Sequence, residues 1–247
     1  MTLVVDEIWQ GLKAGEIAAS LPDTTVDDGQ QLQLQILDKW LAAGEQLGGY
    51  KIGLTSGTSR DMFGPGIRPF GYILKSRILK SGSTVPLHTI GKMGVENELV
   101  FRVAEDVQRT GVTAADAKNL VDGVAPGFEI NQVRLTTPAS QGIRVAENLT
   151  QWGIVFGDFV SIDQDYEQLS VTLSRDGEDL QTVAAAGHID DHFASIATLI
   201  NRLHQFDRGL SRGDLLITGA YTRASVLDPG LWQGDFGVLG QVKLEVT

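Results

Sequence analysis

The sequence predicts a β-rich α+β fold with helices packed outside it. Two observations carry this. Helical apolar spacing fills the first 48 residues and recurs in only two later stretches, and from Tyr50 onward short apolar runs alternate with Gly, Pro, Ser and Asp.

Taken in order, residues 3–20 read as a helix, with Val4, Val5, Ile8, Leu12 and Ile17 near helical spacing and Leu21-Pro22-Asp23 as its end. Residues 27–47 read as a longer helix with Leu34, Ile36, Leu37, Trp40 and Leu41 on its apolar face, stopped by Gly48-Gly49. Strands follow at Tyr50–Leu54, Gly71–Leu74, Glu96–Val103, Gly153–Val160, Ser170–Leu173, Asp214–Thr218 and Leu239–Val246, with turns between them. Thr113 is placed to cap a helix over 113–121, and Phe193, Ile196, Ala197, Ile200 and Leu203 share one face of a helix over 192–206. The organisation is thus an N-terminal helical segment, residues 1–48, followed by a main unit, residues 49–247. No repeat, low-complexity tract or long linker interrupts it.

Composition narrows the function. The chain has 247 residues, 42% of them hydrophobic and 21% charged, which is ordinary for a globular protein. No apolar run is long enough to predict a membrane-spanning helix. The N-terminus lacks the basic region and uninterrupted apolar stretch of a signal peptide, so a cytoplasmic location is expected. There are no cysteines, which excludes disulfides, zinc-thiolate sites and thiol nucleophiles. A net charge of −11 argues against a nucleic-acid partner. It leaves room for a small anionic substrate, because a bound divalent cation would dominate its local field.

Two glutamates stand one residue apart in Val95-Glu96-Asn97-Glu98-Leu99-Val100-Phe101. In a strand, Val95, Leu99, Phe101 and Val103 fall on one face, and Glu96, Glu98, Val100 and Arg102 on the other. Both carboxylates then point the same way, about 7 Å apart along the strand. Spacing alone leaves two readings open: a wet strand face, which Arg102 would fit, or two carboxylates converging on a cation. A third carboxylate, Glu129 of Gly127-Phe128-Glu129, would complete an all-oxygen site for Mg²⁺ or Mn²⁺.

Other residues carry weaker signals. Lys51 lies between apolar neighbours in Gly49-Tyr50-Lys51-Ile52-Gly53, either on an open strand face or buried and paired. His188 and His192 are four apart, but Ile189 stands where a zinc protease needs glutamate. The glycine-rich turns match neither a dinucleotide fingerprint nor a phosphate loop, and Ser56 and Ser59 lack a nucleophile-elbow context.

Five segments in order, Gly49-Tyr50-Lys51-Ile52-Gly53-Leu54-Thr55-Ser56, Phe70-Gly71-Tyr72-Ile73-Leu74, Glu96-x-Glu98-Leu99-Val100, Ala125-Pro126-Gly127-Phe128-Glu129-Ile130 and Leu216-Ile217-Thr218-Gly219-Ala220, together resemble the 2-keto-4-pentenoate hydratase/4-oxalocrotonate decarboxylase family of the fumarylacetoacetate hydrolase-like superfamily. The resemblance spans about residues 25–246. It implies a mixed β-roll with peripheral helices and a catalytic main unit. It also implies a divalent metal, Mg²⁺ or Mn²⁺, on Glu96, Glu98 and Glu129, a lysine near the metal at Lys51, and a homo-oligomer. The implied chemistry is that of a lyase on a small 2-hydroxydienoate or 2-oxo-enoate, a hydratase first and a decarboxylase second, passing through a metal-stabilised dienolate. A C–C hydrolase or isomerase on the same scaffold, or a binding protein without catalysis, are the rival readings.

The resemblance further places Leu74, Ser76, Thr218, Gly219 and Ala220 at the substrate. Glu147, in Val145-Ala146-Glu147-Asn148, stands where the family has aspartate, and His192 resembles a family histidine with different neighbours. Ser76 stands where many members carry an aspartate suited to proton transfer, so the resemblance implies a missing carboxylate and weak hydration of simple 2-hydroxypentadienoate, or else Glu147 as a substitute carboxylate from another segment. Arg68, Lys75 and Arg77 offer a second anion contact or, as charge runs usually do, a solvated edge.

Overall fold

The structure is a computed structural model that describes residues 2–17 and 21–247. Its elements in chain order are α1 (Thr2–Ala14), α2 (Val26–Ala42), β1 (Leu47–Ile52), β2 (Phe70–Leu74), β3 (Ile78–Lys80), β4 (Ser83–Val85), α3 (Leu87–Ile90), β5 (Met93–Val103), α4 (Ala114–Asn119), β6 (Val121–Gln132), α5 (Gln141–Ala146), β7 (Gln151–Phe156), β8 (Ser170–Arg175), β9 (Glu178–Ala184), α6 (His192–His204), β10 (Leu215–Val226), β11 (Gly230–Asp235) and β12 (Gln241–Val246).

The strands form a seven-stranded sheet in the order β2-β1-β10-β5-β6-β7-β3 and a five-stranded sheet in the order β4-β12-β11-β8-β9. β2 and β3 lie at opposite edges of the larger sheet, yet only the turn Lys75–Arg77 joins them. Three residues span at most about 10 Å, whereas seven flat strands would hold those edges roughly 29 Å apart. The sheet must therefore curl until its edges meet, which gives the mixed β-roll.

Side-chain alternation sorts the roll into two apolar regions. Ile73, Val100, Ala125, Ile154, Phe156, Leu215 and Ile217, from five different strands, form a small cluster inside it. Their neighbours one residue away, among them Tyr72, Leu99, Phe101, Val124, Val155 and Leu216, face the main core outside. That core also takes residues of α1, α2, α6 and the smaller sheet, so the N-terminal helices and the roll share one apolar interior. α2 is pinned to the roll by polar contacts as well. Gln33 Nε2 donates to Phe70 O and Val145 O, and Trp40 Nε1 donates to the Tyr72 hydroxyl.

Several boundaries differ from expectation, the strand expected over 153–160 ending at Phe156 among them, and three of these illustrate how the backbone sets them. The first helix ends at Ala14 because Gly15 adopts φ +81°, and the expected continuation over residues 18–20 lies outside the described residues. The second ends at Ala42 because Gly44, two residues on, adopts φ +98°, and Gly48-Gly49 sit inside β1 rather than terminating the helix. Gly49 is at φ +148°, where a Cβ would fall 1.9 Å from Leu215 O of the neighbouring strand. The strand expected over 214–218 continues to Val226, because the antiparallel register with β5 runs through irregularities around Ala220 to Val226↔Met93.

Candidate active site

The alternation that puts Val100 and Ala125 inside the roll puts Glu98 and Glu96 on the same inner face of β5, and Glu129 on that of β6. Register places Glu96 directly across from Glu129, with Glu98 opposite Gly127. One oxygen from each of the three carboxylates lies within 4.8 Å of the others. Lys51 enters from β1, with Nζ donating to Glu129 Oε1 at 2.5 Å and to Leu149 O at 2.8 Å. Its stem crosses Gly71 of β2, where a Cβ would come 3.1 Å from Lys51 Cγ, so the glycine leaves room for the lysine. These groups end a cavity of about 400 Å³ that opens to solvent.

Three clustered acids with one buried cation, Lys51, between them and the half-exposed Arg223 3.7 Å from Glu96 are still out of balance. Burial first, and then the Glu129 charge, pushes Glu96 up to about 7, and the same causes hold Glu98 well above the usual carboxylate range. The donor set is all oxygen, buried and short of positive charge, which suits a hard divalent ion. Gly219 N donates to Glu98 Oε2 at 2.7 Å and so aims that carboxylate. Gly219 is at φ +142°, and a Cβ there would fall 2.4 Å from Thr55 Oγ1.

The charge imbalance has a measurable consequence. In the unfolded chain Glu96 and Glu98 titrate near 4.5, and in the folded chain higher. Between those limits the folded state keeps protons that the unfolded state has lost, so ion-free stability falls as pH rises from about 4.5 to about 7. We expect the melting temperature of chelator-treated protein to drop across that window. We also expect Mg²⁺ or Mn²⁺ to raise it more near pH 8 than near pH 5. Equal increments at both pH values would show that no ion takes the place of those protons.

Other expected site residues are distributed differently. Gly219 and Ala220 line the cavity, while Thr218 lies fully buried behind them and its hydroxyl meets His192 Nδ1 at 2.8 Å. His192 is buried between Thr218 and the Tyr221 hydroxyl, and burial lowers it to about 4. Leu74 and Ser76 are not at the cavity. Leu74 faces the main core outside the roll, and Ser76 is exposed, its hydroxyl donating to Glu45 Oε2. Leu74 pairs with Leu47, at the far end of β1 from the Lys51↔Gly71 pair. This corrects the expected substrate contacts at 74 and 76: a carboxylate at 76 would face Glu45, not the cavity. Glu147 does line the cavity, but both its oxygens are engaged. Oε2 accepts from Arg134 Nη1 at 2.9 Å and Oε1 from Thr150 N at 2.6 Å.

Arg134 and the turn after α5 were not anticipated. Asn148, Leu149 and Thr150 all have positive φ, at 76°, 50° and 61°. Such residues hold only where their surroundings over-determine them. Here Asn148 exchanges hydrogen bonds with Tyr72 N and O, Thr150 N meets Glu147, and Arg134 Nη2 donates to Gln151 O. The turn thereby presents Leu149 O to Lys51. The sequence signal was slight: an arginine in the otherwise apolar Val133-Arg134-Leu135.

No protein-family model matches the chain. It is 30% identical over 209 residues to a 2-hydroxypent-2,4-dienoate hydratase of Pseudomonas putida, covering 81% of this chain and 94% of that protein. It is 26% identical over 255 residues to a 2-oxo-hept-4-ene-1,7-dioate hydratase of Escherichia coli, covering 98% and 96%. In three dimensions it matches a 4-oxalocrotonate decarboxylase from Pseudomonas putida G7, complexed with magnesium and adipate, with a TM-score of 0.90 at 20% identity over 99% of this chain and 96% of that one. The identity and coverage shared with the hydratases, on a roll of the same fold, make this chain a member of the 2-keto-4-pentenoate hydratase/4-oxalocrotonate decarboxylase family.

Proposed function

We propose that the protein is a divalent-metal-dependent lyase acting on a small 2-hydroxydienoate or 2-oxo-enoate, a hydratase of the 2-keto-4-pentenoate type. The observation that carries this is the convergence of Glu96, Glu98 and Glu129, with the Lys51 ammonium against them, at one end of a cavity of about 400 Å³. Those three carboxylates would hold Mg²⁺ or Mn²⁺. When bound, the ion supplies a Lewis acid for a chelating 2-oxo acid and stabilises negative charge on the 2-oxygen. The chain's own groups do the rest. Lys51 Nζ, fixed between Glu129 and Leu149 O, offers a proton donor to an acid seated at the cluster. Gly219 N–H holds Glu98 in place, and Leu54, Leu149 and Phe63 form an apolar wall for an unsaturated chain.

Decarboxylation of a 4-oxalocrotonate-type acid is the second reading, favoured by one observation. Besides the three clustered carboxylates, the cavity's acid among the described residues is Glu147, whose oxygens are both occupied. Loss of CO₂ needs charge stabilisation but no base to activate water. The reading also takes the protein to work in the cytoplasm as a homo-oligomer. It is consistent with this that no helix among the described residues is long and apolar enough to cross a membrane. The test is an ultraviolet assay with Mg²⁺ on a panel of 2-hydroxydienoates and 2-oxo-3-enedioates, with CO₂ measured. Loss of the diene chromophore that requires the ion supports a lyase, and CO₂ release selects the second reading. No turnover across the panel would overturn both.

A further inference from the structure

Among the described residues, four cationic side chains line the cavity: Lys51, Arg134, Arg144 and Arg223. Three have an acid beside them. Lys51 lies 2.5 Å from Glu129, Arg134 lies 2.9 Å from Glu147, and Arg223 lies 3.7 Å from Glu96. Arg144 stands apart: among the described residues its guanidinium makes no hydrogen bond and no ion pair. It is exposed in the last turn of α5, at the cavity rim.

Its backbone is nevertheless well held. Arg144 N donates to Ser140 O at 3.1 Å, and Arg144 O accepts from Leu149 N at 2.9 Å. Leu149 O in turn accepts from Lys51 Nζ. One residue therefore links the free guanidinium at the rim to the ammonium at the carboxylate cluster. Leu149 also lines the cavity, as do Val133 and Met62, which are 49% and 57% exposed. Large apolar side chains left open in the same cavity as an unpaired arginine describe the complement of a ligand with an apolar middle and an anionic end.

We propose, on the reading given under Proposed function, that the substrate is a dicarboxylate: its 2-oxo acid end sits at the Glu96–Glu98–Glu129 cluster, and Arg144 receives its far carboxylate. The planar guanidinium suits that group, since it can donate two parallel hydrogen bonds to one carboxylate. The basic residues singled out in the sequence do not serve this purpose. Arg68 is paired with Asp61 and Asp190, Arg77 lies over the Trp40 and Trp152 rings, and Lys75 is exposed away from the cavity. Because Arg144 is exposed, water weakens its contribution, and a preference of about tenfold is expected rather than several thousandfold.

The test uses two unreactive ligands that differ only at the far end, 2-oxoadipate and 2-oxohexanoate, titrated calorimetrically into the full-length protein with saturating Mn²⁺. The wild type is expected to bind 2-oxoadipate about tenfold or more tightly than 2-oxohexanoate. Arg144→Gln is expected to bring the two within about twofold by weakening only the diacid, and Arg144→Lys to recover part of the preference. Equal affinities in the wild type, or a diacid preference that survives Arg144→Gln, would overturn the assignment. Failure of both ligands to bind would overturn it together with the 2-oxo acid reading of the cavity. Selective binding of 2-oxoadipate without turnover of any dienoate would support the Arg144 site and sink the lyase reading alone.

Discussion

Replacing Lys51 by alanine is expected to lower kcat by about 10²-fold or more at saturating Mn²⁺, the size typical of losing a proton-transfer group. The expectation rests on placement. Lys51 is buried on β1, and its ammonium donates to Glu129 Oε1 and Leu149 O rather than reaching solvent. A purely structural lysine would give a different pattern. Without it, the buried Glu129 loses its counter-charge, so ion-free protein should lose stability. Metal would replace that charge, so the stability deficit should shrink with Mn²⁺ while the kcat deficit persists. Dienoate absorbance and thermal melts, each with and without the ion, separate the two effects. An unchanged kcat in a folded, metal-binding variant would refute the role.

The parts of the site that were legible in the sequence are those governed by strand alternation. Glu96 and Glu98 share a face because two residues separate equal orientations on a strand, and the structure keeps that face inside the roll. Glu129 stood out in the sequence only as a candidate third carboxylate that the family resemblance then supported, since its position opposite Glu96 depends on a register that no local pattern encodes. Position 76 was misplaced for a related reason. The resemblance placed Leu74 and Ser76 at the substrate, but four residues of extended β2 carry Leu74 away from Lys51, and alternation turns its side chain to the outer core. The helix ends differ from expectation where glycine conformations, at Gly15 and at Gly44 just past α2, decide the path. The Arg134–Glu147 pair was invisible because its value lies in burial, which composition does not report.

That pair gives the other large effect. Glu147→Gln is expected to destabilise the protein by about 3–5 kcal/mol, the usual cost of breaking a buried ion pair from one side. The substitution keeps the shape of the side chain but leaves Arg134, only 1% exposed, without its counter-charge. Burial raises the Glu147 carboxyl, and Arg134 with the Thr150 N–H opposes that rise. Arg134→Met should cost a comparable amount, and the two changes together less than their sum, because the second removes the stranded partner left by the first. The consequence for activity is indirect. Glu147 Oε1 and Arg134 hold the ends of the positive-φ turn through Thr150 N and Gln151 O, and the turn carries the carbonyl that fixes Lys51. Loosening it should lower kcat by misplacing the lysine, without introducing a new pKa into the rate profile. A carboxylate that itself moved the proton would behave in the opposite way, with kcat collapsing, the pH profile losing a limb and the denaturation midpoint staying put. Urea unfolding of the two single variants and the double, set beside their pH–rate profiles, distinguishes these outcomes. An unshifted midpoint in Glu147→Gln would show that the buried pair is not what anchors the turn.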